Sequence, residues 1–199
     1  MSAYQFAPAT TFHQVHDFVT WDNGFSPEEL DKLQEYAKTL EFSKAGVGTD
    51  DPSSSFDEIR KSSVAWIQNN PDTAWLYDRL AFIGRNLNAQ FFNFDLYGFL
   101  EDMQYTVYVE GEESHYTWHV DMSPSALAPR KLSLVLQLSD PSEYEGGELQ
   151  TFVRPEPAVV QKKRGLVAAF PSWALHRVTP VTKGVRHTLV VWICGPSFR

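Results

Sequence analysis

The sequence predicts an α+β fold in which helices precede an antiparallel β sandwich of the jelly-roll kind. From about Phe94 onward, short runs rich in Val, Thr, Tyr, Phe and Leu are separated by Gly, Pro, Ser and Glu, as in antiparallel strands joined by turns. Before Phe94, apolar residues instead recur every three or four positions, which is typical of amphipathic helices. We therefore expect one domain over residues 1–199, with mainly helical support in 1–93 and a jelly-roll core in 94–199.

Two helices are predicted in the first part of the chain. Ser26-Pro27-Glu28-Glu29 combines an N-cap residue, a proline suited to the first turn and a glutamate that completes a capping box. The apolar face of this helix is Leu30, Leu33, Ala37 and Leu40. A second helix is predicted to start at Asp72, with an apolar face of Leu76, Leu80, Ile83 and Leu87.

Strands are predicted on both sides of the second helix. A short strand is expected over 62–67, and the Gly-, Asp-, Pro- and Ser-rich stretch 46–55 is expected to be a loop. The runs that define the sandwich are 104–109, 116–121, 131–138, 148–153, 166–170, 174–178 and 186–193.

Charge and composition narrow the class of partner and the compartment. The formal net charge is −8, and residues 1–100 hold 7 basic against 14 acidic side chains, which argues against a nucleic-acid partner. A single cysteine, Cys194, fits a reducing compartment. The apolar runs are only strand-sized and the N-terminus does not resemble a secretory leader, so we predict a cytoplasmic protein with no membrane partner.

A His-x-Asp pair lies in the strand predicted over 116–121. Alternate residues of a strand point to the same face, so His119 and Asp121 are expected to project side by side and to offer two ligands for a divalent metal. Taken alone, the pair also fits a histidine hydrogen-bonded to a nearby carboxylate.

A second group of polar residues lies further along the chain. His176 is placed at the end of a predicted strand, and Arg186 and Thr188 share one face of a run that is otherwise almost wholly apolar. A buried arginine is costly without an anion, and its guanidinium matches a carboxylate. The sequence therefore offers two histidines and an aspartate for a metal, and an Arg-x-Thr pair for a ligand that carries a carboxylate.

This combination resembles the Fe(II)- and 2-oxoglutarate-dependent dioxygenases, and within them the prolyl 4-hydroxylase and PKHD-type branch. The pattern of His119-x-Asp121, His176 and Arg186 is supported by further similar stretches, which together extend over most of residues 60–195: Tyr108-Val109-Glu110-Gly111, Tyr116, Tyr144-Glu145-Gly146-Gly147-Glu148-Leu149, the segment 180–186 and Trp192. The spacing between Gly111 and His119 is two residues longer than is usual in that branch.

The resemblance implies a double-stranded β-helix, a cupin-like jelly roll, and a set of site residues. His119, Asp121 and His176 would bind Fe(II), and Arg186 would bind 2-oxoglutarate with Thr188, Tyr108 and Gln137. Tyr116 and Trp192 would line the substrate side. O2 would be the second cosubstrate, and ascorbate is a further cofactor known for such enzymes.

The implied activity is hydroxylation of an unactivated C–H bond, with succinate and CO2 as co-products. A prolyl or other amino-acid residue is the expected target, in a peptide, a protein or a free amino acid, and loops 43–60 and 122–130 are expected to select it. Two alternatives remain open: an AlkB-like nucleic-acid demethylase, and a jelly-roll binding module without catalysis. The sequence does not indicate the oligomeric state.

Overall fold

The computed structural model describes most of the chain. It covers residues 16–45, 56–111, 114–122, 129–152 and 155–196. Two β-sheets enclose a cavity, and helices pack on the outer face of the larger sheet. This arrangement confirms the predicted jelly-roll core.

The larger sheet is antiparallel throughout and has strands from both ends of the chain. Its order is β1-β11-β7-β13-β5-β4-β2, and β8 pairs with β13 beside this path. The strands are β1 (Val19–Trp21), β2 (Ser43–Lys44), β4 (Ser63–Ile67), β5 (Met103–Val109), β7 (Arg130–Gln137), β8 (Tyr144–Gly146), β11 (Val167–Pro171) and β13 (Val181–Cys194).

The smaller sheet covers the opposite side of the cavity. It is also antiparallel, in the order β10-β9-β12-β6-β3. Its strands are β3 (Arg60–Lys61), β6 (His115–His119), β9 (Leu149–Phe152), β10 (Ala158–Val159) and β12 (Leu175–Val178).

Two longer helices, α1 (Pro27–Ala37) and α3 (Ala74–Leu87), form the predicted support, with the single turn α2 (Phe56–Ile59) between them. The capping box is present: the Glu29 amide donates to Ser26 Oγ at 3.3 Å, and the Ser26 amide donates to Glu29 Oε2 at 2.8 Å. The expectation that α1 includes Leu40 was wrong, because the helix ends at Ala37. The start of α3 is also later than predicted, with Thr73 rather than Asp72 at its N-cap.

The first 93 residues do more than support the core with helices. β1 pairs with β11, and β4 pairs with β5, so both extend the larger sheet. β3 pairs with β6 and extends the smaller one. No helix in the described part of the chain has the length and hydrophobicity needed to cross a bilayer.

Two apolar clusters hold the layers together. The larger lies between the helices and the outer face of the larger sheet, where Leu33, Leu80 and Ile83 meet Leu134 and Ile193. The smaller lies between the two sheets and surrounds the cavity; its members include Val135, Leu149, Phe170 and Val178. The cavity thus has a rigid, apolar frame.

We predict that a glycine within β13 is needed for the fold. Gly184 has φ +73°, and a Cβ there would overlap the carbonyl oxygen of Glu143. Gly184→Ala should lower the free energy of unfolding by about 2–3 kcal/mol, because backbone strain and a steric clash add. Gly111→Ala is the matched control: φ is +78°, but no atom of the described residues lies within 4 Å of the added Cβ, so a loss of about 1 kcal/mol is expected. Equal losses in chemical denaturation would contradict the predicted clash.

Candidate functional site

The two histidines predicted as metal ligands face each other across neighbouring strands. β6 and β12 pair in antiparallel register, with His119 directly opposite His176. Their ring centroids are 4.1 Å apart. Because cross-strand partners point to the same face of a sheet, both imidazoles project into the cavity between the sheets.

Backbone carbonyls fix the orientation of both rings. His119 Nδ1 lies 2.7 Å from the carbonyl oxygen of Thr117, and His176 Nδ1 lies 2.9 Å from that of Ala174. A carbonyl can only accept, so in both rings Nδ1 carries a hydrogen and Nε2 is the nitrogen available to bind a metal. Both Nε2 atoms face the carboxylate of Asp121, an arrangement that suits a cation between them.

Asp121 reaches the histidines from beyond a strand end. The prediction that Asp121 lies within the strand was wrong, because β6 ends at His119. The Asp121 amide instead donates to the carbonyl of Ser172 at 2.9 Å. Asp121 Oδ1 lies 3.9 Å from His119 Nε2, and Oδ2 lies 3.6 Å from His176 Nε2. The three ligand atoms all lie within 4.8 Å of one another, close enough for one metal ion.

Two buried serines hold the Asp121 carboxylate. Ser133 Oγ donates to Asp121 Oδ2 at 2.6 Å, and Ser133 Oγ lies 2.9 Å from Ser172 Oγ. Neither serine is exposed. The sequence did not lead us to predict a role for this serine pair. The available signal was Ser133 itself, a polar residue that faces inward between Leu132 and Leu134.

Burial tunes the protonation of the cluster. Burial, together with the nearby His176, lowers the pKa of His119 to about 3, so this imidazole is neutral at physiological pH. Burial opposes ionisation of Asp121, but the two imidazoles and the Ser133 hydroxyl outweigh it and hold the pKa of Asp121 below its ordinary value. Two imidazoles and one carboxylate form a set of donors suited to a divalent transition metal.

Arg186 lies in the same cavity and is almost completely buried, with 1% of its surface exposed. In the described part of the chain, its Nε and Nη2 atoms have no hydrogen-bond partner. Its guanidinium lies over the Tyr108 ring at 5.3 Å, and a Cβ on Gly147 would come within 2.9 Å of its Cδ. A buried guanidinium with two nitrogens that lack partners is unfavourable unless an anion accepts from them, so the site suits a carboxylate.

Of the three residues predicted to assist Arg186, two line the cavity and one does not. Thr188 and Tyr108 line the cavity with it, and Tyr108 is its cross-strand partner. Gln137 is not among the cavity-lining residues, and its Nε2 donates to the carbonyl of Gln161 at 2.7 Å. That hydrogen bond uses the Gln137 amide to hold the chain ahead of β11.

Both aromatic residues predicted on the substrate side line the cavity. Tyr116 stacks on the His119 ring with centroids 3.3 Å apart, and burial raises the pKa of its hydroxyl to about 12. Trp192 is stacked under the guanidinium of Arg130 at 3.6 Å. Tyr116 and Trp192 thus flank the histidine and aspartate ligands.

Sequence reasoning missed several polar residues of the cavity. Arg60, Gln104 and the ion pair of Arg130 with Glu101 all line it. Arg60 was assigned to a loop, and its pairing with Tyr116 across β3 and β6 is a long-range contact with no local signal. Of the loops expected to select the substrate, residues 46–55 and 123–128 lie outside the described residues.

Comparisons with known proteins agree with this geometry. Residues 103–194 match the 2OG-Fe(II) oxygenase superfamily. A PKHD-type hydroxylase of Synechococcus sp. (strain CC9902) is 42% identical over 78 residues, which cover 39% of this chain and 35% of that protein. The match therefore spans about a third of the length of this curated relative.

Solved structures share the fold. A prolyl hydroxylase from Trichoplax adhaerens, in complex with a hypoxia inducible factor peptide, has a TM-score of 0.73 at 16% identity, covering 89% of this chain and 83% of that one. A viral collagen prolyl hydroxylase from Paramecium Bursaria Chlorella virus-1, in complex with 2OG, has a TM-score of 0.65 at 22% identity, covering 91% and 97%. The residues that match the 2OG-Fe(II) oxygenase superfamily, 103–194, include the His-Asp-His cluster and Arg186.

Proposed function

We propose that this protein is an Fe(II)- and 2-oxoglutarate-dependent hydroxylase that acts on a prolyl or other amino-acid residue. The observation that carries the proposal is one cavity of about 340 Å³ that holds both a His-Asp-His cluster and a buried arginine, two of whose nitrogens lack a hydrogen-bond partner among the described residues. The cluster suits Fe(II), and the arginine suits the carboxylate of 2-oxoglutarate. When bound, Fe(II) with 2-oxoglutarate and O2 supplies the chemistry that hydroxylates a C–H bond, with succinate and CO2 as co-products.

The side chains of the chain itself bind, orient and shield. His119 and His176 present Nε2 because their Nδ1 hydrogens are held by carbonyls, and Asp121 stays ionised under the Ser133 hydroxyl. Arg186 neutralises an anion at the deep end of the cavity, and apolar residues such as Val135 and Leu149 exclude water around it. Exclusion of water protects a reactive oxidant from side reactions.

Several broader features belong to the same proposal. Residues 1–199 would form one domain, because β1 and β4 are hydrogen-bonded into the larger sheet. A peptide or protein substrate is supported by the peptide bound to the Trichoplax relative, and a reducing, cytoplasmic location by the single buried cysteine. The demethylase and binding-module alternatives find no support in relatives that are PKHD-type and prolyl hydroxylases.

The metal assignment is tested by removing one ligand. His176→Ala should weaken binding of Fe(II), or of Co(II) used as an air-stable probe, by at least about 100-fold, because one of three protein ligands is lost. Calorimetric titration of the metal into the protein measures the change. His187→Ala is the control, since His187 hydrogen-bonds Tyr105 and is not among the cavity-lining residues. One equivalent of metal retained by His176→Ala at unchanged affinity would overturn the assignment.

The anion assignment is tested at Arg186. Arg186→Gln should raise the Kd for 2-oxoglutarate by about 100-fold, since truncating one partner of a buried charge pair costs about 2–5 kcal/mol. The measurement is calorimetric titration of 2-oxoglutarate into the Mn(II)-loaded protein. Lys183→Gln removes an exposed cation of the same strand and should leave the Kd unchanged. Equal losses in both variants would indicate a nonspecific charge effect and contradict the assignment.

The serine pair should tune the metal affinity. Ser133→Ala removes the hydroxyl that orients Asp121 and should weaken Co(II) binding by about 10–100-fold, the range typical of residues that hold a metal ligand. Ser139→Ala is the matched control: Ser139 is equally well buried and hydrogen-bonded, but its partners are the backbone of Val185 and His187. If Co(II) titration gives the same affinity for both variants, Ser133 has no role in positioning Asp121.

A further inference from the structure

The cavity contains a second buried arginine, and none of the described residues is an acidic partner for it. Arg60 is 7% exposed, and its Nη2 donates to Gln104 Oε1 at 2.7 Å, while its Nε donates to Ser62 Oγ at 3.1 Å. Its guanidinium also lies 4.7 Å from the centre of the Tyr116 ring. All three contacts are with neutral groups, and no ion pair joins Arg60 to a carboxylate of the described residues. A buried cation solvated only by neutral groups is unfavourable and favours an anion beside it.

Each of the other two arginines that line the cavity has an assigned anionic partner. Arg130 is neutralised by Glu101, with Nε donating to Oε1 at 2.7 Å and Nη2 donating to Oε2. Arg186 is the residue that the proposed function assigns to 2-oxoglutarate. A divalent metal, that dicarboxylate, Asp121 and Arg186 together carry no net charge. Among the described lining residues, one positive charge then remains, on Arg60. A substrate with one carboxylate would bring the filled cavity to neutrality.

Arg60 and Arg186 contact different residues of β5. Arg60 contacts Gln104, whereas Arg186 pairs with Tyr108, four residues further along β5. At about 3.4 Å per residue, these two positions on the strand are roughly 13 Å apart. Arg60 also lies against Tyr116, which stacks on the metal-ligand candidate His119 at 3.3 Å. An anion at Arg60 is therefore separate from one at Arg186, yet close to the metal cluster.

Gln104 completes the anion-binding group. Its Oε1 accepts from Arg60 at 2.7 Å and from Thr106 Oγ1 at 3.4 Å, so the oxygen end of the amide is held. Its Nε2 has no hydrogen-bond partner among the described residues, and the residue lines the cavity. Arg60 likewise retains Nη1 without a hydrogen bond to the described residues. One guanidinium nitrogen and one amide nitrogen are thus adjacent donors, which suits the two oxygens of a carboxylate.

Aromatic side chains lie next to this donor pair. Trp66 is the cross-strand partner of Gln104, is 43% exposed at the cavity mouth, and has its ring centroid 6.4 Å from that of Trp192. Such rings contact an apolar or cyclic part of a substrate while the donors hold its charged end. We propose that Arg60 and Gln104 bind a carboxylate of the substrate, so that the hydroxylated compound is an acid or a peptide with an acidic group beside the target residue. This inference rests on the proposed hydroxylase function.

The test compares matched acids and amides in the Mn(II)- and 2-oxoglutarate-loaded protein. One arm uses N-acetylproline against N-acetylprolinamide, and a second uses acetyl-Ala-Pro-Asp-amide against acetyl-Ala-Pro-Asn-amide. Binding is measured by the effect of each compound on the relaxation of water protons near Mn(II) and by calorimetry. In at least one arm the carboxylate compound should bind at least about tenfold more tightly, and that arm identifies the source of the carboxylate.

Substitutions of Arg60 connect this preference to the residue. Arg60→Gln should abolish the preference for the acid, whereas Arg60→Lys, which keeps the charge, should retain part of it. Arg177→Gln is the control, because Arg177 stacks on Trp118 and contacts Gln150 and does not line the cavity. If Arg60→Gln does not fold, the comparison of acid and amide in the unaltered protein and in Arg60→Lys still tests whether Arg60 binds the carboxylate.

The outcomes separate this inference from the proposed function. Failure of the unaltered, metal-loaded protein to bind 2-oxoglutarate would overturn the proposed function. If 2-oxoglutarate binds but neither arm prefers the carboxylate, or neither compound of either pair binds, the role of Arg60 is overturned alone. A preference that survives in Arg60→Gln would equally overturn it.

Discussion

The site depends on the antiparallel pairing of β6 with β12, which sets His119 opposite His176. Fixed register is what brings two imidazoles from distant parts of the chain to the same face, because a shift of one residue would turn one of them away from the cavity. The same loop that leads into β12 provides the Ser172 carbonyl that holds Asp121. One strand pair and one turn therefore assemble the entire cluster.

Around this cluster the protein concentrates charge within an apolar frame. Asp121, Arg60 and Arg186 are each at least nine-tenths buried, between sheets lined by aliphatic and aromatic side chains. Such groups are tolerated in a protein interior only when hydrogen bonds or opposite charges compensate them. Asp121 is compensated by the serine hydroxyl, whereas each of the two arginines keeps donor nitrogens that have no partner among the described residues. These uncompensated positive charges indicate that the cavity binds anionic ligands.

The helical layer contributes indirectly. Leu33 and Leu80 pack on the outer face of the larger sheet, so the helices exclude water from that face. The other face is then free to carry polar residues such as Thr188 and Gln104 inward. Strands β3 and β4 extend both sheets beyond the jelly-roll core, and β3 places Arg60 against Tyr116. The amino-terminal part thus shapes the cavity as well as supporting it.

The sequence by itself determined the strand-rich core, the capped helix α1 and the pattern of His119, Asp121, His176 and Arg186, because periodicity, capping and buried charge are local properties. It could not place Arg60 beside Tyr116, or Ser133 under Asp121, since those contacts depend on strand register over long separations. It also misjudged how Asp121 is held, which depends on a carbonyl 51 residues away. Only the tertiary structure decided these features, because it alone specifies which strands are neighbours and which unpartnered donors share one cavity.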